Sequence, residues 1–232
     1  MGNVSLSFAG RGFVPLPCGA LFWPAESLLL VADLHLEKGS AFARRGWLLP
    51  PHDSLDTLQT LALAIGATGA TRLVALGDSF HDPHGPSRMP EQAQALLAST
   101  MSKVDWLWVM GNHDGDSGAS LGGNACTEME IGGIALRHEA MDGADGPEIS
   151  GHYHPKVSLV LRTGRRVARR CIALAPGRMV LPAYGAYAGG LSVDDPAFVA
   201  ALGASPEAVV ALADGLIRIP AHARKPEGKA AA

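Results

Sequence analysis

Three apolar segments of the chain each end abruptly in a cluster of polar residues, and this recurrence limits the possible folds most. The segments read SLLLVAD, RLVALGD and DWLWVMGNHD. Short runs rich in Leu, Val and Trp are typical of buried β-strands. In open α/β sheets, ligands bind beyond the carboxyl ends of the strands. We therefore expect the three polar clusters to converge on one site.

Helical patterns alternate with these strands. They predict helices over EKGSAFARRG, over PHDSLDTLQTLALAIGA and near PEQAQALLASTM. The runs VSLSF, GFVPLP and ALFW come earlier and predict strands at the start of a sheet. From about residue 128 strands replace helices, over GIALRHE, PEISGHY, VSLVLR, RVARRCIAL and GRMVLPA. This order of elements predicts an α/β sandwich.

The length and composition fit one domain. The chain has 232 residues, of which 47% are hydrophobic, and two separate domains would each have a cramped core. We predict a single domain over residues 1–220. The polar, apolar-poor end at 221–232 is expected to be a flexible tail.

The charge balance excludes several partners. A net charge of -3, from 19 basic and 22 acidic residues, gives no general attraction to nucleic acid or to an anionic membrane. No apolar run is long enough to span a membrane, and the start MGNVSLSFAG lacks the features of a signal peptide. The three widely spaced cysteines have neither metal-site spacing nor a disulfide pattern. We therefore expect a cytoplasmic protein that does not contact membranes.

Histidines, carboxylates and one amide make up the polar clusters. Two further sites follow later strands, one after GIALR and one in the segment EISGHYHP. If Glu148 to Ser150 form a strand, alternation would put His152 and His154 on the same side of it. The collected candidate ligands are Asp33, His35, Asp78, Asn112, His138, His152 and His154.

This donor set suits a pair of metal ions. Carboxylate, amide oxygen and imidazole without thiolate favour Mn²⁺, Fe²⁺ or Zn²⁺. Seven ligands are too many for one catalytic ion that keeps an open position, and two ions sharing a carboxylate use the set better. An isolated Asp-x-His often only caps a turn, but GNHD and GHYH after apolar runs have no packing explanation.

The motifs as a set resemble the calcineurin-like metallophosphoesterase superfamily. More narrowly, ADLHLEKGSAFARRG followed by LPP, together with GDSFHD, is similar to the bacterial ligase-associated DNA damage response endonucleases, the PdeM subfamily. The resemblance implies a four-layer αββα sandwich with two divalent ions, most often Mn²⁺. It assigns Asp33, His35, Asp78 and His154 to one ion and Asp78, Asn112, His138 and His152 to the other, with Asp78 bridging.

The resemblance also implies catalytic roles beside the ions. His113 would be the histidine next to the scissile phosphate, and Asp114 would orient it. A metal-held hydroxide would attack phosphorus in line, while His113 would stabilise charge or protonate the leaving oxygen. His81 stands where many relatives have Asp, so it could contact the ligands, the substrate or neither.

The leading functional prediction is a manganese-dependent phosphodiesterase, a DNA endonuclease in DNA repair. DNA ligase, exonuclease and helicase partners are implied by the subfamily resemblance. One alternative is a phosphatase or small-nucleotide phosphodiesterase with the same site. Another is a non-catalytic scaffold of the same fold, which the complete ligand set disfavours.

Basic residues are the candidates for substrate binding. Arg165 and Arg166 fall in LRTGRRVARR, where arginines across a hairpin could follow a nucleic-acid backbone or simply face solvent. Arg44 and Arg45 follow the first predicted helix and could reach a phosphate or cap the helix. His81 is a further candidate because it closely follows Asp78.

Overall fold

The protein is described by a computed structural model that covers residues 5–50, 52–114, 121–141, 143 and 145–224. Within these ranges the helices are α1, Lys38–Ala43; α2, Asp53–Thr68; α3, Gly85–Arg88; α4, Glu91–Met101; and α5, Pro196–Leu202. The first strands are β1, Leu6–Phe8; β2, Arg11–Pro15; β3, Leu21–Trp23; β4, Leu28–Val31; β5, Arg72–Leu76; β6, Asp105–Val109; β7, Asn124–Cys126; and β8, Glu128–Ile131. The remaining strands are β9, Ile134–Arg137; β10, Glu148–Ser150; β11, Lys156–Val160; β12, Arg166–Arg170; β13, Ile172–Ala175; β14, Arg178–Val180; β15, Glu207–Ala211; and β16, Leu216–Ile219.

Two large mixed sheets form the centre of the molecule. The first sheet has the order β1-β2-β3-β4-β5-β6-β7, and the strands from β4 to β7 run parallel. The second has the order β16-β15-β13-β14-β10-β9-β8, in which β10 is parallel to both β9 and β14. The parallel strands of each sheet supply the loops that carry the polar clusters.

The packing has four layers. Leu28 and Leu30 of β4 face the second sheet and share a core with Ile149 of β10. Leu29 and Val31 point the other way, into a core with α2 and α4. Because both faces are covered, β4 reads as a continuous apolar run rather than an alternating one.

The outer face of the second sheet is covered more thinly. Phe198 and Leu202 of α5 pack there against Ala173 and Val180, together with Val157 of the β11–β12 hairpin. The predicted α/β sandwich is therefore confirmed, with helices outside both sheets.

One predicted strand was wrong and several elements were not predicted. RVARRCIAL was treated as one strand, but β12 pairs with β11 whereas β13 pairs with β14 and β15. The chain changes sheets at Cys171, which is buried. Helix α5 and strands β7, β8, β15 and β16 were not predicted, since their short or alanine-rich segments have little hydrophobic periodicity.

Two further features concern membrane-spanning helices and the C-terminal segment. In the described part of the chain, no helix is both long and apolar enough to cross a membrane. The predicted tail at 221–232 lies mostly outside the described residues. Its first residues form a short 3-10 turn, Ala221–Ala223, and the side chain of Arg224 pairs with Asp194 at 2.8 Å.

Candidate metal centre

The loops after β4 and β5 run side by side. The backbone N–H of Asp33 donates to the carbonyl of Gly77 at 3.1 Å, and that of His35 donates to the carbonyl of Asp78 at 2.9 Å. Since β4 and β5 are parallel neighbours, both loops leave the same edge of the sheet. This pairing brings the first two predicted polar clusters together.

The first group of ligand atoms consists of Asp33, His35 and His154, here called the first triad. The Nε2 atoms of His35 and His154 lie 3.2 Å apart. Nε2 of His154 lies 3.3 Å from Oδ1 of Asp33, which is fully buried. One ligand atom from each residue falls within 4.8 Å of the others, so a single ion could contact all three.

The second triad consists of Asp78, His138 and His152, whose ligand atoms also lie within 4.8 Å of one another. Nδ1 of His152 is 3.1 Å from Nε2 of His138, and that Nε2 is 3.5 Å from Oδ1 of Asp78. The outer ring nitrogens have partners of their own. Nδ1 of His138 lies 3.1 Å from the carbonyl of Leu76, and Nε2 of His152 lies 3.6 Å from the Glu139 carboxylate.

The outer partner of His138 decides its tautomer. The Leu76 carbonyl only accepts, so Nδ1 of His138 carries the proton when that ring is neutral. Nε2 of His138 then directs a lone pair toward Nδ1 of His152, 3.1 Å away. Two nitrogens about 2.1 Å from one ion, at right angles, would lie roughly 3 Å apart. The donor set therefore fits a divalent cation.

The two triads adjoin. Oδ1 of Asp33 lies 3.9 Å from Nδ1 of His138, and the backbone N–H of His152 donates to Oδ2 of Asp33 at 3.0 Å. The contact between the triads thus runs through Asp33. The bridging role implied for Asp78 stays a prediction.

Backbone strain is concentrated at these ligands. A left-handed conformation, which L residues with a Cβ adopt at some cost, occurs at Asp33, His35, Asp78, His152 and His154, with φ between 44° and 69°. The strain also corrects one sequence argument. Strand β10 ends at Ser150, so strand alternation does not place His152 and His154, and the two rings join different triads.

One glycine allows the third polar cluster to approach the centre. A Cβ on Gly111 would collide with the backbone nitrogen and Oδ1 of Asp78. Asn112, the next residue, is exposed, and the backbone N–H of His113 donates to Oδ1 of Asp78 at 3.0 Å. The metal-ligand role of Asn112 stays a prediction.

His113 is aimed at the centre by a backbone carbonyl. Its Nδ1 lies 3.1 Å from the carbonyl of His81, so Nδ1 carries the proton in the neutral ring. Its Nε2 then faces Oδ2 of Asp78 at 3.9 Å. The two imidazoles of His81 and His113 are stacked, with centroids 6.0 Å apart and an interplanar angle of 18°. His81 therefore supports His113.

Asp114 links two of the loops at the centre, and its implied role of orienting His113 stays a prediction. Its carboxylate accepts hydrogen bonds from the backbone N–H groups of Phe80 and Gly111, at 3.0 Å and 2.9 Å. It joins the loops after β5 and β6. The carbonyl of His81 also contacts His113, and sequence reasoning missed that contact because a backbone carbonyl has no sequence signature.

Burial favours the neutral form of two ligand histidines, His35 and His152. It lowers the pKa of His35 to about 2, and the nearby His154 contributes in the same direction. Burial also lowers the pKa of His152, again with a contribution from its neighbour His138. Neutral imidazole is the form that binds metal ions. Burial raises the pKa of Asp114.

The predicted substrate-binding residues lie at different distances from the centre. Arg44 and Arg45 are exposed at the end of α1, and the charge of Arg45 helps to lower the pKa of His81, after burial and the charges of Lys38 and His113. Arg165 and Arg166 are exposed near the tip of the β11–β12 hairpin.

Several residues near the centre were not predicted from the sequence. Glu139 contacts His152, and its position directly after His138 gave no signal by itself. Lys38 follows the first ligand loop, and Lys156 follows His154 by two residues. A single lysine after a motif is not distinguishable from an ordinary surface residue in sequence alone.

Comparison with known proteins gives a clear structural match. No family model matches the sequence, and no curated protein does so either. The crystal structure of the Pseudomonas putida nuclease MPE is similar, with a TM-score of 0.69 and 26% identity over 89% of this chain and 95% of that chain. Lower similarity is found to YfcE, a phosphoesterase from E. coli, with a TM-score of 0.41 and 17% identity over 71% and 83%.

The motif resemblance and the structural match agree. The similarity to the nuclease covers 89% of this chain. The two triads lie at the expected edge of the sheets and provide two potential metal sites. The predicted likeness to metallophosphoesterases is therefore confirmed, and the chain has a metallophosphoesterase-type fold.

Proposed function

We propose that the protein is a binuclear metal-dependent phosphodiesterase whose substrate is DNA. The observation that carries this proposal is the pair of adjoining triads, each with one buried carboxylate and two imidazoles. The facing nitrogens of His138 and His152 lie 3.1 Å apart, close to the separation of two nitrogens that bind one ion at right angles. When bound, two divalent ions would activate water and polarise the phosphate oxygens.

The residues of the chain have separate roles in this proposal. Asp33, His35 and His154 hold one ion, while Asp78, His138 and His152 hold the other, assisted by Asn112. His113 offers Nε2 to the phosphate or to the leaving oxygen, because His81 occupies its Nδ1. Asp114 keeps the two loops in register.

The donor chemistry limits which ions fit the centre. Oxygen and imidazole donors without thiolate suit Mn²⁺, and Fe²⁺ or Zn²⁺ are compatible with the same set. We propose Mn²⁺ as the native ion, in line with the resemblance noted in the motifs.

The DNA part of the proposal rests on the nuclease to which the chain is similar. The subfamily resemblance extends it to an endonuclease role in DNA repair in the cytoplasm, with DNA ligase, exonuclease and helicase as partners. Arg44, Arg45, His81, Arg165 and Arg166 are proposed to contact substrate. Arg166 has the stronger geometric support of the two hairpin residues, because its register places it on the strand face shared by Lys156.

The test is Mn²⁺-dependent cleavage of supercoiled DNA, measured beside bis-p-nitrophenyl phosphate and p-nitrophenyl phosphate. Asp78→Ala should abolish DNA nicking, and His113→Ala should lower its rate roughly 10²–10⁴-fold. Asp105→Ala is the matched control, since Asp105 is exposed at the opposite end of the parallel strands. Monoester turnover without DNA cleavage would favour a phosphatase, and no turnover with any metal would favour the scaffold.

A further inference from the structure

Two lysines flank the first triad on different sides. Lys38 begins α1, three residues after His35, and Lys156 begins β11, two residues after His154. The only other lysine within the described ranges is Lys103, which is exposed just before β6 at the opposite edge of the sheet. Lysine is therefore concentrated where an anionic substrate would approach the centre.

Lys38 is held in place by an aromatic ring. Its Nζ lies 5.9 Å from the centroid of Phe42, one helical turn further along α1. The Phe42 ring packs against the His81 ring, with centroids 5.6 Å apart, and His81 is stacked on His113. The Lys38 ammonium is therefore connected to His113 through successive contacts with the rings of Phe42 and His81.

Lys156 lies in a groove that begins at the first triad. The groove has a volume of about 510 Å³, and its lining includes His154, Lys156 and Arg169. The absence of a side chain at Gly190 keeps this place open, because a Cβ there would lie 3.0 Å from the Lys156 side chain and would strike the carbonyl of His154. The groove thus connects a cationic surface with a proposed metal ligand.

Neither lysine forms an ion pair with a described residue. Within the described residues no carboxylate oxygen lies within 4.0 Å of either ammonium, whereas six arginines have such partners. The charge of Lys156 contributes to lowering the pKa of Lys38, after the larger effect of burial and against the opposing charge of Asp53. Two like charges in one region are unfavourable unless an anion binds between them.

We propose that Lys38 and Lys156 form a subsite for a second phosphate of the DNA strand, adjacent to the phosphate at the metal centre. This inference rests on the proposed function, because it assigns a place to the neighbouring nucleotide. A substrate with one phosphate, such as bis-p-nitrophenyl phosphate, cannot use the subsite. The subsite therefore makes the enzyme favour a polynucleotide over an isolated diester.

The experiment compares kcat/KM for a single-stranded oligonucleotide and for bis-p-nitrophenyl phosphate with Mn²⁺ present. Lys38→Met and Lys156→Met keep the apolar stem and remove the charge, and Lys103→Met is the matched control. For each subsite variant the ratio of oligonucleotide to small-diester kcat/KM should fall about tenfold, mostly through KM. Lys38→Arg and Lys156→Arg should restore most of the loss.

Salt dependence separates phosphate binding from a structural effect. Each Met variant should lower the slope of log KM against log salt concentration by about 0.7, the value for one phosphate contact with a single strand. An unchanged ratio, an equal loss on both substrates or an unchanged slope would overturn the subsite. If the wild-type protein cleaves neither substrate, the proposed function itself fails.

Discussion

The two triads have the same composition but are held in place differently. In the second triad Nδ1 of His138 has the Leu76 carbonyl as acceptor at 3.1 Å, and Nε2 of His152 faces the Glu139 carboxylate at 3.6 Å. In the first triad Nδ1 of His35 is buried and has no hydrogen-bond partner among the described residues. The second triad is therefore oriented by polar contacts to its outer nitrogens, and the first by packing and backbone strain.

This difference predicts unequal dependence on the ions. Hydrogen-bonded outer partners fix the ring and the tautomer of a metal-binding histidine. A triad without them depends on packing and on the contact between the Nε2 atoms of His35 and His154, which lie 3.2 Å apart. We expect the first triad to be the more disturbed of the two when the ions are removed.

Removing one ligand from either triad should give the largest effect. His154→Ala breaks the first triad and His152→Ala the second, and each should lower kcat/KM for DNA about 10³-fold, because each ion stabilises the transition state by several kcal/mol. The measurement is steady-state cleavage at saturating Mn²⁺. Near wild-type activity in one variant would mean that a single triad suffices.

A smaller change should weaken only the second triad. Glu139→Gln removes the charge that faces His152 and should weaken Mn²⁺ binding to the second triad about tenfold. This is at the low end of the losses seen when a residue that contacts a metal ligand is changed, because the His152–Glu139 pair is partly exposed. Titration calorimetry on metal-free protein would resolve the weaker site. Glu130→Gln, an exposed change on β8, is the control. Equal weakening of both sites would contradict the separation of the triads.

The pH dependence of stability should expose the first triad. The pKa of His35 falls from 6.5 to about 2 on folding, so between these values the unfolded chain binds a proton that the folded chain does not. Above pH 6.5 His35 does not lower the free energy of unfolding. As the pH falls below 6.5, the free energy of unfolding decreases by up to about 1.4 kcal/mol per pH unit.

Chemical denaturation of the metal-free protein, at about pH 7.5 and about pH 5.5, measures this effect. His35→Gln should flatten the dependence by about 1 kcal/mol over that interval. His152→Gln should flatten it less, because nearby carboxylates partly offset the lowering of the His152 pKa. A dependence that is unchanged in His35→Gln would show that this ring is not buried in the neutral form.

The sequence predicted the parts of the site that depend on strand ends. Asp33 and Asp78 follow apolar runs, and parallel strands necessarily bring such ends to one edge. Their pairing with distant histidines could be reached only through resemblance, since His154 meets His35 across 119 positions. Strand alternation could not predict the left-handed backbone at His152 and His154, because both residues lie beyond the end of β10.

Elements with weak local patterns were also missed. Helix α5, PAFVAAL, has few large apolar residues, and its helical state depends on Phe198 packing against the second sheet. The switch at Cys171 between β12 and β13 is set by pairing partners far along the chain. His81 contacts His113 through its backbone carbonyl. Every residue has such a carbonyl, so the identity of residue 81 could not predict this contact.

The central claim is that the two triads form one binuclear centre. Its most direct test is the Mn²⁺ content of the loaded protein together with its electron paramagnetic resonance spectrum. We expect two ions per chain with the exchange-coupled spectrum of a close pair, and a single isolated ion in both His154→Ala and His152→Ala. One ion per chain in the wild-type protein, or two with the spectrum of isolated Mn²⁺, would contradict the account.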